Sequence, residues 1–125
     1  MTYSSIVCDA GGVLVAAGAL EGSSPDGAEI IALDWTSMTV GRFLGLRHEG
    51  DPARVEVEIG LALAAVDEWF PVRSLVAAML SRAGVGAVDE LDSWSALVLA
   101  EQLALPLLTA SGDLRSDTVE IVRPW

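Results

Sequence analysis

The sequence predicts an α/β protein, a three-layer α/β/α sandwich around a mostly parallel central sheet. Short apolar segments alternate along the chain with longer segments of helical periodicity, and this alternation is typical of strands joined by covering helices. The 125 residues are 52% hydrophobic and 20% charged, a composition that supports one buried core. We therefore expect residues 1–125 to form a single domain.

Five short apolar segments are predicted to be strands: 4–8, 30–33, 70–72, 106–109 and 119–122. Ligands of open parallel α/β sheets bind at the carboxyl ends of the strands. Asp9 follows the first predicted strand, and the segment 109–113 follows a late one. These two places are where the sequence predicts chemistry.

Helices are predicted between the strands: from residue 13 after a tight turn at the Gly11-Gly12 pair, then over 36–47, 52–66, 75–80 and 94–103. Asp51-Pro52 combines a capping carboxylate with proline at the first helical position. Val55, Ile59, Ala62 and Val66 then recur at steps of four, three and four, which is the spacing of one buried helical face.

The charge balance restricts the partners. Eighteen acidic and seven basic residues give a net charge of −11, and all seven are arginines. Such a field disfavours nonspecific binding to nucleic acid. The single cysteine, Cys8, the absence of a basic residue before Arg42 and the short apolar runs predict a cytoplasmic protein with no membrane association.

Two stretches resemble the PIN domain, especially the short single-domain VapC toxins. Residues 6–10 (Ile-Val-Cys-Asp-Ala) are similar to the family's opening strand and first acid, and residues 99–110 (Leu-Ala-Glu-Gln-Leu-Ala-Leu-Pro-Leu-Leu-Thr-Ala) to its final helix, turn and strand. The resemblance implies a PIN-like fold, a ribonuclease site of four acids holding Mg²⁺ or Mn²⁺, a homodimer and a small antitoxin-like partner protein.

Most of the acids that the resemblance implies are replaced by hydroxyl residues. Asp9 matches the first acid, whereas Thr39, Ser93 and Ser111 stand at the other three positions. Divalent cations of this kind need anionic oxygen ligands. We therefore expect a degraded metal site and a protein that is inactive or weakly active, acting through protein binding or residual nucleic-acid binding.

An active Mg²⁺-dependent endoribonuclease toxin is the first alternative. Asp113 lies two residues after Ser111, so an extended chain returns its side chain to the same face. Asp92 is one helical step of about 100° from Ser93 and is predicted to point elsewhere unless the start of the helix is shifted. The rebuilt metal site would comprise three carboxylates, those of Asp9, Asp92 and Asp113. Two basic residues would bind RNA phosphates, Arg42 and Arg115.

A small HAD-type phosphatase is the second alternative. Residues 9–14 (Asp-Ala-Gly-Gly-Val-Leu) are similar to the first motif of that family, whose aspartate accepts the phosphoryl group, and residues 112–117 (Gly-Asp-Leu-Arg-Ser-Asp) to its metal motif. Gly11 stands where the second acid of the first motif would be. The chain also has no lysine to stabilise the transferring phosphoryl group.

Purely structural interpretations compete at several of these positions. Asp9 precedes a helix and is equally explained as its N-cap. Cys8 is expected to behave as a small buried hydrophobe, and His48 to interact with the dipole at a helix end. Trp94 is predicted to be core, while Trp125 either covers the sheet edge or is exposed as an anchor for a partner.

Overall fold

A computed structural model of the protein describes residues 3–81 and 91–125. In this part of the chain a central five-stranded sheet carries helices on both faces, and every strand pairing is parallel. The predicted α/β/α sandwich is thereby confirmed, with a sheet that is wholly rather than mostly parallel.

The strands are β1 (Ser5–Cys8), β2 (Glu29–Leu33), β3 (Glu68–Phe70), β4 (Leu107–Leu108) and β5 (Ile121–Val122). The helices are α1 (Ala10–Ala16), α2 (Thr36–Arg47), α3 (Pro52–Ala64), α4 (Val76–Ser81) and α5 (Leu91–Leu103), with a 3₁₀ turn at Val72–Leu75 before α4. None of the described helices is both long and apolar enough to cross a lipid bilayer.

The helix signals of the sequence are confirmed for α2 and α3. Helix α2 has the predicted bounds. Helix α3 begins at Pro52, and the Asp51 carboxylate accepts a hydrogen bond from the Arg54 amide at 3.2 Å. On its predicted inner face Ala62 is buried, and Val55 is half-buried.

The third strand lies earlier in the chain than predicted. It ends at Phe70, and Val72 already belongs to the 3₁₀ turn, so the predicted strand over 70–72 is wrong in its bounds. Pro71 separates the two elements, because its nitrogen has no hydrogen to donate to a strand ladder. The parallel pairing with β2 therefore uses Glu68, Trp69 and Phe70.

The order of the strands, β3-β2-β1-β4-β5, places β1 at the centre. The chain builds outward from β1 to β3 and then crosses to β4 on the other side of β1. The topological switch point therefore lies between β1 and β4, where open α/β sheets bind their ligands. Cys8 pairs with Leu108 there, so Asp9 and Thr109 leave the sheet side by side.

Alternation along the strands divides the core into two halves. Ile6 and Cys8 of β1 pack with α1, α2 and α3 on one face of the sheet. Val7 of β1 packs with α4 and α5 on the other face. Helix α5 is buried continuously from Trp94 to Ala100, so it has no solvent-facing stripe in this stretch.

Helix α1 begins three residues before its predicted start, and the glycine pair lies inside its first turn rather than in a separate turn. A β-carbon on Gly12 would lie 2.3 Å from the carbonyl oxygen of Leu108, and one on Gly11 would lie 2.8 Å from Cβ of Ala110. Only glycine lets the first turn of the helix approach the end of β4 this closely.

Gly12→Ala should therefore destabilise the protein by about 1–3 kcal/mol or more through overpacking. Gly60→Ala in α3 is the matched control, because a β-carbon there meets nothing within 4 Å and alanine should stabilise the helix by about 0.5–1 kcal/mol. Urea unfolding of both variants measures the difference. Equal stabilities would contradict the close approach of α1 to β4.

Candidate functional site

Asp9 occupies the switch point and is only 1% exposed. It follows β1 and is the N-cap of α1, since its Oδ1 accepts a hydrogen bond from the Gly12 amide at 2.9 Å. The structural interpretation of Asp9 as a helix cap is thus confirmed. The cap satisfies one of the amides that have no partner at the start of a helix.

The second carboxylate oxygen of Asp9 is held by two hydroxyl groups. Ser93 at the start of α5 donates to Oδ2 at 2.7 Å, and the fully buried Thr109 after β4 donates to the same oxygen. Asp9 therefore accepts three hydrogen bonds from three different elements. Neither of its oxygens is left without a donor.

Asp92 forms a second carboxylate centre beside Asp9. Its Oδ2 accepts from the Ala10 amide at 2.7 Å, and its Oδ1 accepts from the Thr36 hydroxyl at 2.7 Å. Helix α5 begins at Leu91, three residues before its predicted start, and Asp92 lies near Asp9 while bonding to groups other than those that Ser93 contacts. Asp92 and Ser93 lie in the first turn of α5, and this N-terminal end of the helix contacts the first residues of both α1 and α2. The two consecutive side chains therefore reach different partners.

We call Asp9, Thr36, Asp92, Ser93 and Thr109 the hydroxyl–carboxylate cluster. In it each of the three hydroxyl groups donates to a carboxylate. The network continues outside the cluster, because the Ser95 hydroxyl donates to the Asp92 carbonyl at 2.8 Å and accepts from the indole of Trp35 at 3.0 Å.

The electrostatics of the cluster make Asp92 easier to protonate than a carboxyl group in water. Burial, opposed by the hydrogen bonds from Ala10 and Thr36 and reinforced by the nearby Asp9, raises the pKa of Asp92 to about 6. Within the described residues no cation pairs with either carboxylate. Amide and hydroxyl donors, rather than a positive charge, stabilise the two acids.

Of the three hydroxyl positions at which the resemblance expects an acid, two lie at the cluster. Ser93 belongs to it, and the Ser111 amide donates to the Thr109 hydroxyl at 3.0 Å. Thr39 is exposed on α2 and contributes nothing to it. The hydroxyl that α2 brings to the cluster is that of Thr36, one turn earlier.

Thr36 was missed by the sequence analysis, although a signal for it exists. Thr36, Val40 and Leu44 recur at steps of four and are the buried residues of α2. Such a spacing places the threonine on the same inner face as the two apolar side chains. A buried threonine at a helix start is a stronger candidate for the site than the exposed Thr39.

The three carboxylates of the alternative metal site are not brought together. Asp113 is exposed in the loop after β4, and the described residues contain no group of three or more acidic, histidine or cysteine side chains that could hold a metal ion. Three hydrogen-bond donors face the Asp9 carboxylate. A divalent cation such as Mg²⁺ or Mn²⁺, which needs several oxygen ligands, would compete with these donors for Asp9.

Neither arginine predicted to bind RNA forms a hydrogen bond or ion pair with the residues of the cluster, all of which lie in the described part of the chain. Arg42 is exposed on α2. Arg115 donates to the carbonyls of Gly112 and Leu114 in its own loop, at 3.0 and 2.9 Å. In the loop that resembles the phosphatase metal motif, the Arg115 side chain thus binds backbone carbonyls of the loop itself. The second acid of that motif, Asp117, is exposed.

The remaining candidates are placed in the core or at the surface. Trp94 is 8% exposed, as predicted for core, and Trp125 is 75% exposed. Cys8 is fully buried, and burial together with the charge of Asp9 raises the pKa of its thiol far above the usual range. Such a thiol is unreactive and packs as a hydrophobe. His48 follows the last turn of α2.

The chain matches no protein-family model, and no curated protein similar to it is found. The likeness to the PIN domain therefore stands on the sequence motifs given above.

The pKa of Asp92 predicts how stability depends on pH. Because the folded value lies above the unfolded value of about 3.9, the folded state holds the proton more tightly, and the Asp92 contribution to stability falls as pH rises from about 4 to 6. Asp92→Asn removes this loss. The free energy of unfolding of the variant, compared with that of the parent, should therefore increase by about 1–3 kcal/mol as pH rises from 4 to 8.

Urea unfolding of the parent and Asp92→Asn across this range measures the difference. Asparagine can still accept from the Ala10 amide, and its NH₂ group can donate to the Thr36 hydroxyl. Asp113→Asn, at an exposed acid, is the control and should follow the parent at every pH. If the two free energies of unfolding differed by the same amount at every pH, Asp92 would not titrate as described.

Proposed function

We propose that the protein is a PIN-like domain whose catalytic metal centre has been lost and that it acts by binding another protein. One observation carries the proposal: the carboxylate of Asp9 accepts three hydrogen bonds. A nuclease of the metal-dependent type needs such oxygens as ligands for a divalent cation. Here the donors of α1, α5 and the end of β4 occupy them.

The contacts around Asp9 support the same proposal. The switch point of an open α/β sheet is normally a crevice for ligand. In this protein Gly12 lies against the Leu108 carbonyl, and Gly11 lies against Ala110. The polar groups of the cluster form hydrogen bonds with one another at the switch point. These bonds favour a structural role for the groups over a role in binding substrate.

Charge favours a protein partner over RNA. A net charge of −11 repels a phosphate backbone, and the Arg115 guanidinium is bound to its own loop. The unpaired and buried Cys8 thiol is compatible with the reducing cytoplasm, in which we place the protein.

An apolar groove supplies a surface for such contacts. It has a volume of about 260 Å³ and is lined by Trp35, Trp94 and five aliphatic or methionine side chains. On its rim Leu80 is 77% and Val76 is 45% exposed. Like charges oppose the association of two acidic copies least at an apolar surface, so we infer that this groove joins the copies of a homodimer.

Incubation of the purified protein with structured RNA and millimolar Mn²⁺ tests the loss of catalysis. We expect no cleavage above that of an Asp9→Asn variant prepared in parallel, and no increase in melting temperature with Mn²⁺. Cleavage by the parent that Asp9→Asn abolishes would overturn the proposal. It would favour the ribonuclease toxin, for which Mg²⁺ or Mn²⁺ is the cofactor.

Restoring acids tests whether the cluster occupies the position of a former metal centre. The triple variant Thr36→Glu, Ser93→Asp and Ser111→Asp should gain stabilisation by Mn²⁺, because the added carboxylates repel one another until a cation neutralises them. The matched control carries Thr39→Glu in place of Thr36→Glu, since Thr39 is exposed.

Thermal unfolding with and without Mn²⁺ compares the two triple variants. If the first does not fold, Ser93→Asp with Thr36→Glu alone is the second test of the same site. Equal responses of the Thr36 and Thr39 variants to Mn²⁺ would contradict the placement of the centre.

The homodimer is tested by light scattering after size-exclusion chromatography. Leu80→Glu places a charge on the rim of the apolar groove and should convert the dimer to a monomer. Leu61→Glu is the control, because Leu61 is also exposed, at 63%, but lies on α3 away from the groove. A monomeric parent, or a dimeric Leu80→Glu variant, would contradict the inferred interface.

A further inference from the structure

A second polar region lies at the C-terminal ends of α1 and α2. Here a cavity of about 200 Å³ is lined by Arg47, His48 and Arg54, and Glu58 is the acidic residue among its lining side chains. We propose that this cavity binds the phosphate group of a small phosphate monoester. The proposal is independent of the lost metal centre.

The cavity is distinct from the hydroxyl–carboxylate cluster. Thr36 begins α2 at the cluster, and Arg47 ends the same helix, about 16 Å away along the helix axis at 1.5 Å per residue. Helix α1 also starts at Asp9 and runs away from it, and Gly18, just after α1, lines the cavity. The two polar regions thus lie near opposite ends of the strands, one at their carboxyl ends and the other at their amino ends.

Arg47 is held in place by groups that leave most of its donors free. One of its terminal nitrogens donates to the Ala19 carbonyl, and its guanidinium lies 5.9 Å from the centre of the Phe43 ring. A guanidinium has five N–H donors in a fixed fork. The anchored side chain can therefore present further donors to a ligand with little loss of conformational entropy.

Arg54 adds a second cation that its neighbour compensates only weakly. Its Nε lies 3.9 Å from Oε1 of Glu58, which is longer than a hydrogen bond, and such exposed pairs contribute little. Two guanidinium groups therefore meet one carboxylate in the cavity. This excess of positive charge stands out in a chain that carries a net charge of −11.

The chemistry of the donors selects the class of ligand. Arginine pairs bind tetrahedral phosphate oxygens through parallel N–H donors, and a phosphate dianion matches two guanidinium charges better than a carboxylate does. The cavity has room for the phosphate and a small organic group. His48, also in its wall, can donate a further hydrogen bond through a ring N–H.

Titration with inorganic phosphate, followed by calorimetry and by thermal unfolding at constant ionic strength, tests the proposal. We expect saturable binding by the parent and a weakening of about tenfold in Arg54→Gln, from loss of one charge-assisted contact. Arg42→Gln, at an exposed arginine on α2, is the matched control and should bind as the parent does. Equal weakening in both would indicate a general charge effect and overturn the site.

Glu58→Gln gives a test in the opposite direction. Removing the one carboxylate in the cavity should strengthen phosphate binding several-fold, a gain that damage to the fold would not produce. Sulfate should bind similarly to phosphate, and acetate should bind more weakly. Absence of saturable phosphate binding, or equal binding of acetate and phosphate, would overturn the proposal.

Discussion

The carboxylate of Asp9 joins the parts of the fold that meet at the centre of the sheet. Asp9 directly follows β1 and caps α1 through the Gly12 amide. Its carboxylate also accepts hydrogen bonds from the hydroxyls of Ser93 on α5 and Thr109 after β4. These contacts cross between the two layers of helices. A buried ionisable group is costly unless all its bonds are made, so the positions of three other elements depend on this one side chain.

The same arrangement determines what the centre can do. Two carboxylates lie together in a part of the molecule that is partly shielded from water, and amides and hydroxyls stabilise them in place of a cation. A site that reacts needs groups whose bonding changes when substrate arrives. Here the hydrogen-bonding groups of the protein already bond to one another.

The sequence was sufficient for the architecture and for the position of Asp9, because periodicity and strand ends are local properties. It was insufficient for Thr36 and Asp92. Counting along a family motif assigned Thr39, since the count ignores which face of α2 is buried. Asp92 and Ser93 do point to different partners, as one helical step predicts, but α5 begins between two elements that both offer hydrogen-bonding partners, so both side chains lie at the cluster.

The continuous burial of α5 has a consequence for how that helix is oriented. A helix with an apolar stripe has one preferred rotation about its axis, but α5 is buried on all sides from Trp94 to Ala100, so burial alone favours no particular angle. The polar contacts of Asp92, Ser93 and Ser95 therefore set the azimuth. The hydroxyl–carboxylate cluster thus fixes the rotation of a helix that is buried on all sides along half of its length.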